Sequence, residues 1–359
     1  MTATTNTPKA KPSQVLPNVP PPIAMLRFLG GFRIARIIYV VAELGIADLL
    51  ADGAKTIAEL AQATQTHEPS LYRVMRSLAS VGIFAEDDSG KFELTPPAEF
   101  LRGDTPGSLR DAVKFLGQDW HWQVWGELPY SIKTGKPAFD HLFGQGLFDF
   151  YLDPEMAKIA SDSKASISSR ASNSLLANYD FSATDVVVEL GIFAGAGSTI
   201  IPLLKANPQM KGILFDFKSA IAAAQPAIEQ AGLTQRCQLV AGNCVETAPS
   251  GGDIYLLMFV IHNWDDEQAI KILQNCRQGM KTTGKLLLVE MIMPEGNDPF
   301  VGKLIDLESL LTTPGGRERK EGEYRDLLTK AGFEITRIIP TQTANSIIEA
   351  VPNLGSQKS

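Results

Sequence analysis

The sequence predicts a two-domain α/β protein, an amino-terminal helical module of winged-helix order joined to a Rossmann-like domain. Three observations predict it. From Asp185 onward, near-continuous apolar strands alternate with helical runs, the texture of a mostly parallel sheet covered on both faces. A glycine-rich turn follows the first of those strands, and an acidic residue ends the second. Upstream, between Thr56 and Thr95, the order is helix, helix, then a short hairpin.

The chain has 359 residues, enough for two cores, and its 44% hydrophobic and 20% charged content is ordinary for a globular protein. A net charge of -7 provides no general attraction to nucleic acid or anionic membrane. Cys237, Cys244 and Cys276 form neither a paired framework nor a metal spacing, which fits a reducing, cytoplasmic setting.

Residues 1–22 are rich in Thr, Pro and Lys, with no apolar signal core, and read as a disordered tail. Residues 23–105 form the helical module. Its apolar run Ile37 to Leu50 is broken by Glu43 and Asp48 and is too short to span a bilayer. Thr56 with Glu59 has capping-box spacing, Pro69 opens the next helix, and Gly82 ends it. A hairpin around Asp88-Ser89-Gly90 completes the order. A winged helix raises the possibility of DNA binding. Its second helix, however, offers only Arg73 and Arg76 against Glu86, Asp87 and Asp88, so we read the module as a dimerisation scaffold and expect no nucleic-acid or membrane partner.

Residues 106–180 read as helices carrying Trp120, His121, Trp122 and Trp125. Such rings line aromatic pockets less often than they fill a core between domains. Residues 181–359 hold the strand candidates "DVVVELG", "GILFDF", "CQLVAGN", "DIYLLMFVIH", "GKLLLVEMIM", "FEITRIIP" and "NSIIEAVP". The last two are joined by a short polar turn and should pair antiparallel at one edge.

The first strand–helix junction runs Glu189, Leu190, Gly191, Ile192, Phe193, Ala194, Gly195, Ala196, Gly197. Glycines let a backbone turn tightly and approach a ligand. Asp216 lies 25 residues after Gly191, where an acid accepts both ribose hydroxyls. Together they indicate an adenosine-type cofactor without a 2′-phosphate. The fourth strand ends at His262, at the mouth where open α/β sheets bind ligands, with Asp265 and Gln268 placed to cap the helix that follows. No ligand pair adjoins His262 in the sequence, so no metal is expected.

The segments "HNWDDEQAIKIL", "LLLVEMIMPEGN" and "TPGGRERKEGEYRDLLTKAGF", with "LGIADLLADG" and "LYRVMRSLASVGIF" upstream, resemble the plant-type and bacterial small-molecule O-methyltransferases from Pro22 to Pro352. The resemblance implies a class I methyltransferase sheet, S-adenosylmethionine as cofactor, a small hydroxylated acceptor and a homodimer. It also implies that His262 is the general base, flanked and oriented by Glu290 and Glu318. Glu189, Gly191, Gly195, Gly197, Asp216, Phe217, Asn243, Cys244 and Met258 fall at the family's cofactor positions.

The chain departs from that family around one pocket. The loop reads as carrying two extra residues, Ile192 or Phe193 among them. Asn243 stands where the family has Asp, Met258 where it has Lys followed by a polar or aromatic residue, and Phe217-Lys218 where Leu-Pro is common. The alternative reading is therefore a repurposed pocket, for a different reaction or for ligand binding alone, with Phe193, Met258 and Phe259 lining one apolar cavity. A winged-helix regulator is the remote third.

Overall fold

The computed structural model describes residues 19–193 and 195–353; the tail reading for residues 1–18 lies outside them. Where that reading meets the structure it is corrected, because a helix already runs from Pro21 to Glu43. Proline suits its first turn, where the missing N–H is not needed.

The small sheet of the first module contains β1 (Lys55–Thr56), β2 (Phe84–Glu86) and β3 (Lys91–Leu94), in the order β1-β3-β2. Thr56 accepts from the Glu59 amide while the Glu59 carboxylate accepts from the Thr56 amide at 2.7 Å, the expected capping box. Helices Ile57–Thr64 and Glu68–Ala79 close over this sheet on Leu60, Leu71, Met75, Leu78, Phe84 and Phe92, all buried. The Asp87 carboxylate accepts from the amides of Ser89 and Lys91, which sets the hairpin turn.

The larger sheet comprises β4 (Val186–Leu190), β5 (Lys211–Asp216), β6 (Cys237–Ala241), β7 (Ile254–Met258), β8 (Lys285–Met291), β9 (Phe333–Pro340) and β10 (Asn345–Pro352). Its order among the described residues is β6-β5-β4-β7-β8-β10-β9. The pairs from β6 to β8 are parallel, and β10 runs antiparallel to both β8 and β9. The edge hairpin expected from its short polar turn is therefore present, with β10 inserted next to β8.

Alternate residues of each strand feed two cores. Val188, Leu190, Tyr255, Leu257, Leu286 and Leu288 face one side; Val187, Leu256, Met258, Leu287 and Val289 face the other. Strand order reverses between β4 and β7, and the carboxyl ends of strands at such a switch point are where these sheets bind ligands.

One helix, Pro154–Asn178, packs beside that switch point. Asp153 caps it by accepting from the amides of Glu155 and Met156. Its inner face is a stripe of small residues, Ala157, Ala160, Ser161, Ser168, Ala171 and Ser172, so its backbone sits close to the loop after β4. A Cβ on Gly195 would lie 2.7 Å from the Ala165 nitrogen, and Gly195 itself has φ +59. No helix of the described residues is long and apolar enough to cross a membrane.

Candidate active site

The site is built on the carboxyl ends of β4, β5, β7 and β8. Glu189 ends inside β4, 2% exposed, and its Oε2 has no hydrogen-bond partner. Burial, then the nearby charge of Asp216, pushes its carboxyl up to about 8, against the pull of Lys164. The Gly191 amide continues the β4–β5 ladder by donating to the Phe215 carbonyl at 2.8 Å. Asp216, the last residue of β5, is buried, and its Oδ1 accepts from the amides of Phe193 at 3.0 Å and Phe217 at 2.7 Å.

The loop after β4 differs from the sequence expectation. Its glycines adopt positive φ at Gly195 and Gly197, but what approaches Gly195 is the helix Pro154–Asn178. Phe193 turns inward at φ 53 and stacks on Phe217 with centroids 5.4 Å apart, edge-on to Tyr151 at 5.1 Å. An aromatic series continues from Phe217 through Phe148, which stacks on Trp264 at 5.0 Å.

One other expectation is corrected. Phe193, Met258 and Phe259 do not line one cavity: Phe193 belongs to one core face, while Met258 belongs to the other, where the hydroxyls of Ser172 and Thr199 approach its sulfur. Asn243 forms a local turn. Its Oδ1 accepts from the Val245 amide, because a side-chain amide two residues from a free N–H closes that ring readily. Cys244 is buried, and burial pushes its thiol up to about 12.

A residue that sequence reasoning passed over now enters. Lys164, on the long helix, extends its partly buried side chain toward the switch point and donates to the carbonyls of Ile192 at 3.0 Å and Phe259 at 3.2 Å. These carbonyls belong to the loops after β4 and β7, the two sides of the switch point. The signal was helical spacing: Lys164 falls three or four residues from Ala160, Ser161 and Ser168 on the buried stripe.

The other half of the site is His262. The residues after β7 form one short turn, Ile261–Asn263, entered through Phe259 at φ 55. Glu290 on β8 holds that turn, its Oε1 accepting from the amides of Val260 at 3.0 Å and Ile261 at 2.8 Å. Its Oε2 lies 3.0 Å from His262 Nδ1, and Glu318 Oε1 lies 3.4 Å from the same nitrogen. These are ion-pair contacts off the line of the ring N–H, since Nδ1 makes no aligned hydrogen bond.

Glu318 reaches the site on a segment tied to the base. The Arg317 amide donates to the His262 carbonyl, and the Arg319 guanidinium, fully buried, donates to the carbonyls of Ile261 and Trp264 and to Asp266. The Glu318 amide is held by Asp306 at 2.8 Å. Burial pushes the Glu318 carboxyl up to about 7. At His262 burial lowers the imidazole pKa, but Glu290 and then Glu318 raise it further, and the net shift is upward despite Lys164.

The fold brings together the three residues expected to act as base and orienting acids. It also supplies what the linear sequence hid: the ligand atoms of His262, Glu290 and Glu318 lie within 4.8 Å of one another, a set that by distance alone suits an ion. The aromatic cluster on Asp119–Gly126 divides. Trp120 is core, among Phe115, Phe139 and Phe150, whereas His121 Nε2 and Trp125 Nε1 both meet the Glu308 carboxylate, at 2.8 and 2.9 Å.

The strand-end acid Asp216 and the unpartnered Glu189 oxygen are acceptors beside a glycine-bearing loop at one sheet edge, a set whose chemistry fits a cationic, adenosine-bearing cofactor. Comparison with known proteins agrees. Residues 125–334 match the model of the O-methyltransferase domain, and residues 26–103 that of the O-methyltransferase dimerisation domain. The chain is 37% identical over 335 residues to the phenazine O-methyltransferase PhzM of Lysobacter antibioticus, covering 93% of this chain and 97% of that one. It is 33% identical to the mitomycin biosynthesis 6-O-methyltransferase of Streptomyces lavendulae, covering 85% and 87%. Among solved structures it superposes on LaPhzM with a TM-score of 0.87 at 37% identity, covering 93% of this chain and 100% of that one. It superposes on an O-methyltransferase from neocarzinostatin biosynthesis, in complex with S-adenosylmethionine and 2-hydroxy-5-methyl naphthoic acid, at 0.70 and 30%, covering 89% and 95%. With both of its domain models matched and the site assembled at the expected sheet edge, this chain belongs to the S-adenosylmethionine-dependent O-methyltransferases.

Proposed function

We propose that this chain methylates a hydroxyl of a small, fused-ring aromatic molecule, with His262 as general base and Glu290 and Glu318 as its orienting acids. The observation that carries the reading is the imidazole at the switch point, its Nδ1 against two carboxyls. That arrangement leaves Nε2 for the proton of the acceptor.

The cofactor supplies an already electrophilic methyl group on a sulfonium. What remains for the protein is alignment and removal of one proton. Glu189, Gly191, Gly195, Gly197, Asp216, Phe217, Asn243, Cys244 and Met258 are the proposed surroundings of that cofactor, with Asp216 and Glu189 as its polar partners. Glu290 fixes the base from β8, and Glu318 stabilises the imidazolium once it carries the acceptor's proton. Phe259 stacks on the His262 ring with centroids 6.3 Å apart, and Phe148 stacks on Trp264, aromatic surroundings that support an aromatic acceptor.

The acids are read as partners of the imidazole and not as metal ligands. Dialysis against a chelator should leave turnover within twofold; a loss restored by a divalent ion would reassign the trio. We further propose a homodimer formed through the first module. Met25, Leu26, Phe28, Leu29 and Phe32 stand more than half exposed on its first helix, an apolar face that a partner would cover. Three free buried cysteines support a cytoplasmic location.

The test is calorimetric titration with S-adenosylmethionine and S-adenosylhomocysteine, followed by a mass-spectrometric screen of polycyclic phenols. Micromolar binding and a product one methyl heavier are expected. No binding at millimolar concentration would return the site to the repurposed-pocket reading. Methylation confined to ring nitrogens would remove the hydroxyl from the proposal.

A further inference from the structure

Lys164 is a charge that the methyl-transfer chemistry leaves without work. It sits where the strand order reverses, between two backbone carbonyls, Ile192 and Phe259. Asp216 and then Glu290 act to keep its ammonium charged, while burial acts first to neutralise it. The Ile192 and Phe259 carbonyls and the Asp216 Oδ1 all accept, so this site favours a cation. The backbone flanking both carbonyls is strained: of the four non-glycine residues at positive φ among the described residues, Phe193 and Phe259 are two and Ala196 is a third.

We propose that Lys164 is an internal surrogate for the α-ammonium group at the amino-acid end of the cofactor, holding the two carbonyls until the cofactor enters and then withdrawing. The proposal rests on the S-adenosylmethionine reading. A flexible four-carbon stem makes withdrawal a change of rotamer, without unfolding of the helix that carries it. The same acceptor pair then serves two cations in turn, and the cofactor binds against a competitor built into the chain. A site free in only about a tenth of molecules weakens apparent affinity about tenfold.

The test titrates S-adenosylhomocysteine and 5′-deoxy-5′-methylthioadenosine, which lacks the amino acid, into wild type, Lys164→Met and Lys164→Gln. Both substitutions remove the charge, and the glutamine keeps a donor should the methionine variant misfold. About tenfold tighter S-adenosylhomocysteine binding, with methylthioadenosine unchanged, is expected. Weaker S-adenosylhomocysteine binding would make Lys164 a permanent ligand of the amino acid's carboxylate and overturn the proposal. An equal shift for both ligands would assign the effect to the loop and also overturn it. Absence of binding by either ligand to any of the three proteins would remove the cofactor reading and this one with it. In unmodified protein, acylation of Lys164 by an amine reagent, followed by mass spectrometry, should speed up on adding S-adenosylhomocysteine. Slower or unchanged labelling would sink the surrogate.

Discussion

A base is useful only while it is neutral, and His262 spends part of the ordinary pH range charged. Glu290 and Glu318 raise its pKa above 6.5, so the rising limb of kcat/KM against pH should lie above that value. Glu318 titrates close by, at about 7, and the limb belongs to the coupled group. Glu290→Gln should move it to lower pH, and a limb that stays put would detach Glu290 from the base. His262→Ala should cost about 10²–10⁴ in kcat, the usual worth of a positioned proton acceptor, while the cofactor dissociation constant stays within a few-fold. Single-turnover assay and calorimetry read the two separately. Glu189 gives a stability signature of its own. Folded, its carboxyl keeps the proton up to about 8, whereas unfolded it releases it near 4.5. Between those values the unfolded chain binds fewer protons, so stability falls as pH rises. Glu189→Gln should gain in Tm over wild type progressively from pH 5 to 8, then level off.

At the scale of elements, the base turn and the segment bearing Glu318 work as one clamp. Arg319 fastens Ile261, Trp264 and Asp266 with a single guanidinium. A lysine there has no planar fork, so Arg319→Lys should lower stability by about 2–4 kcal/mol, read by urea unfolding. It should also lower kcat more than it alters cofactor affinity. The strands, the capping box and the terminal hairpin were all legible beforehand, because apolar alternation and turn chemistry are local signals. The trio His262, Glu290 and Glu318 was legible through family resemblance alone, since the acids come from a separate strand and loop. Lys164 was not read at all: a lysine in a serine-rich helix looks solvated until that helix is known to lie against the switch point. The inward turn of Phe193 was equally hidden, since it depends on the rings of Tyr151 and Phe217 offering a place to pack.

At the scale of the molecule, replacing Leu26 and Leu29 with Asp should convert the proposed dimer to monomer, checked by light scattering. An unchanged mass would place the interface elsewhere. Serine-rich and slim, the helix Pro154–Asn178 passes so close to the cofactor loop that a Cβ on Gly195 would clash with the Ala165 backbone. Its Ser166 hydroxyl also donates to the Ser108 carbonyl, beside the helix Arg110–Leu116 that lies against the first helix of the chain. This one helix therefore contacts both the candidate site and the helix that packs on the first module. Free energy spent on moving this helix at one end is felt at the other, and by thermodynamic reciprocity the two equilibria bias each other equally. Subunit affinity measured with and without S-adenosylhomocysteine should differ by the same factor as cofactor affinity measured in monomer and dimer.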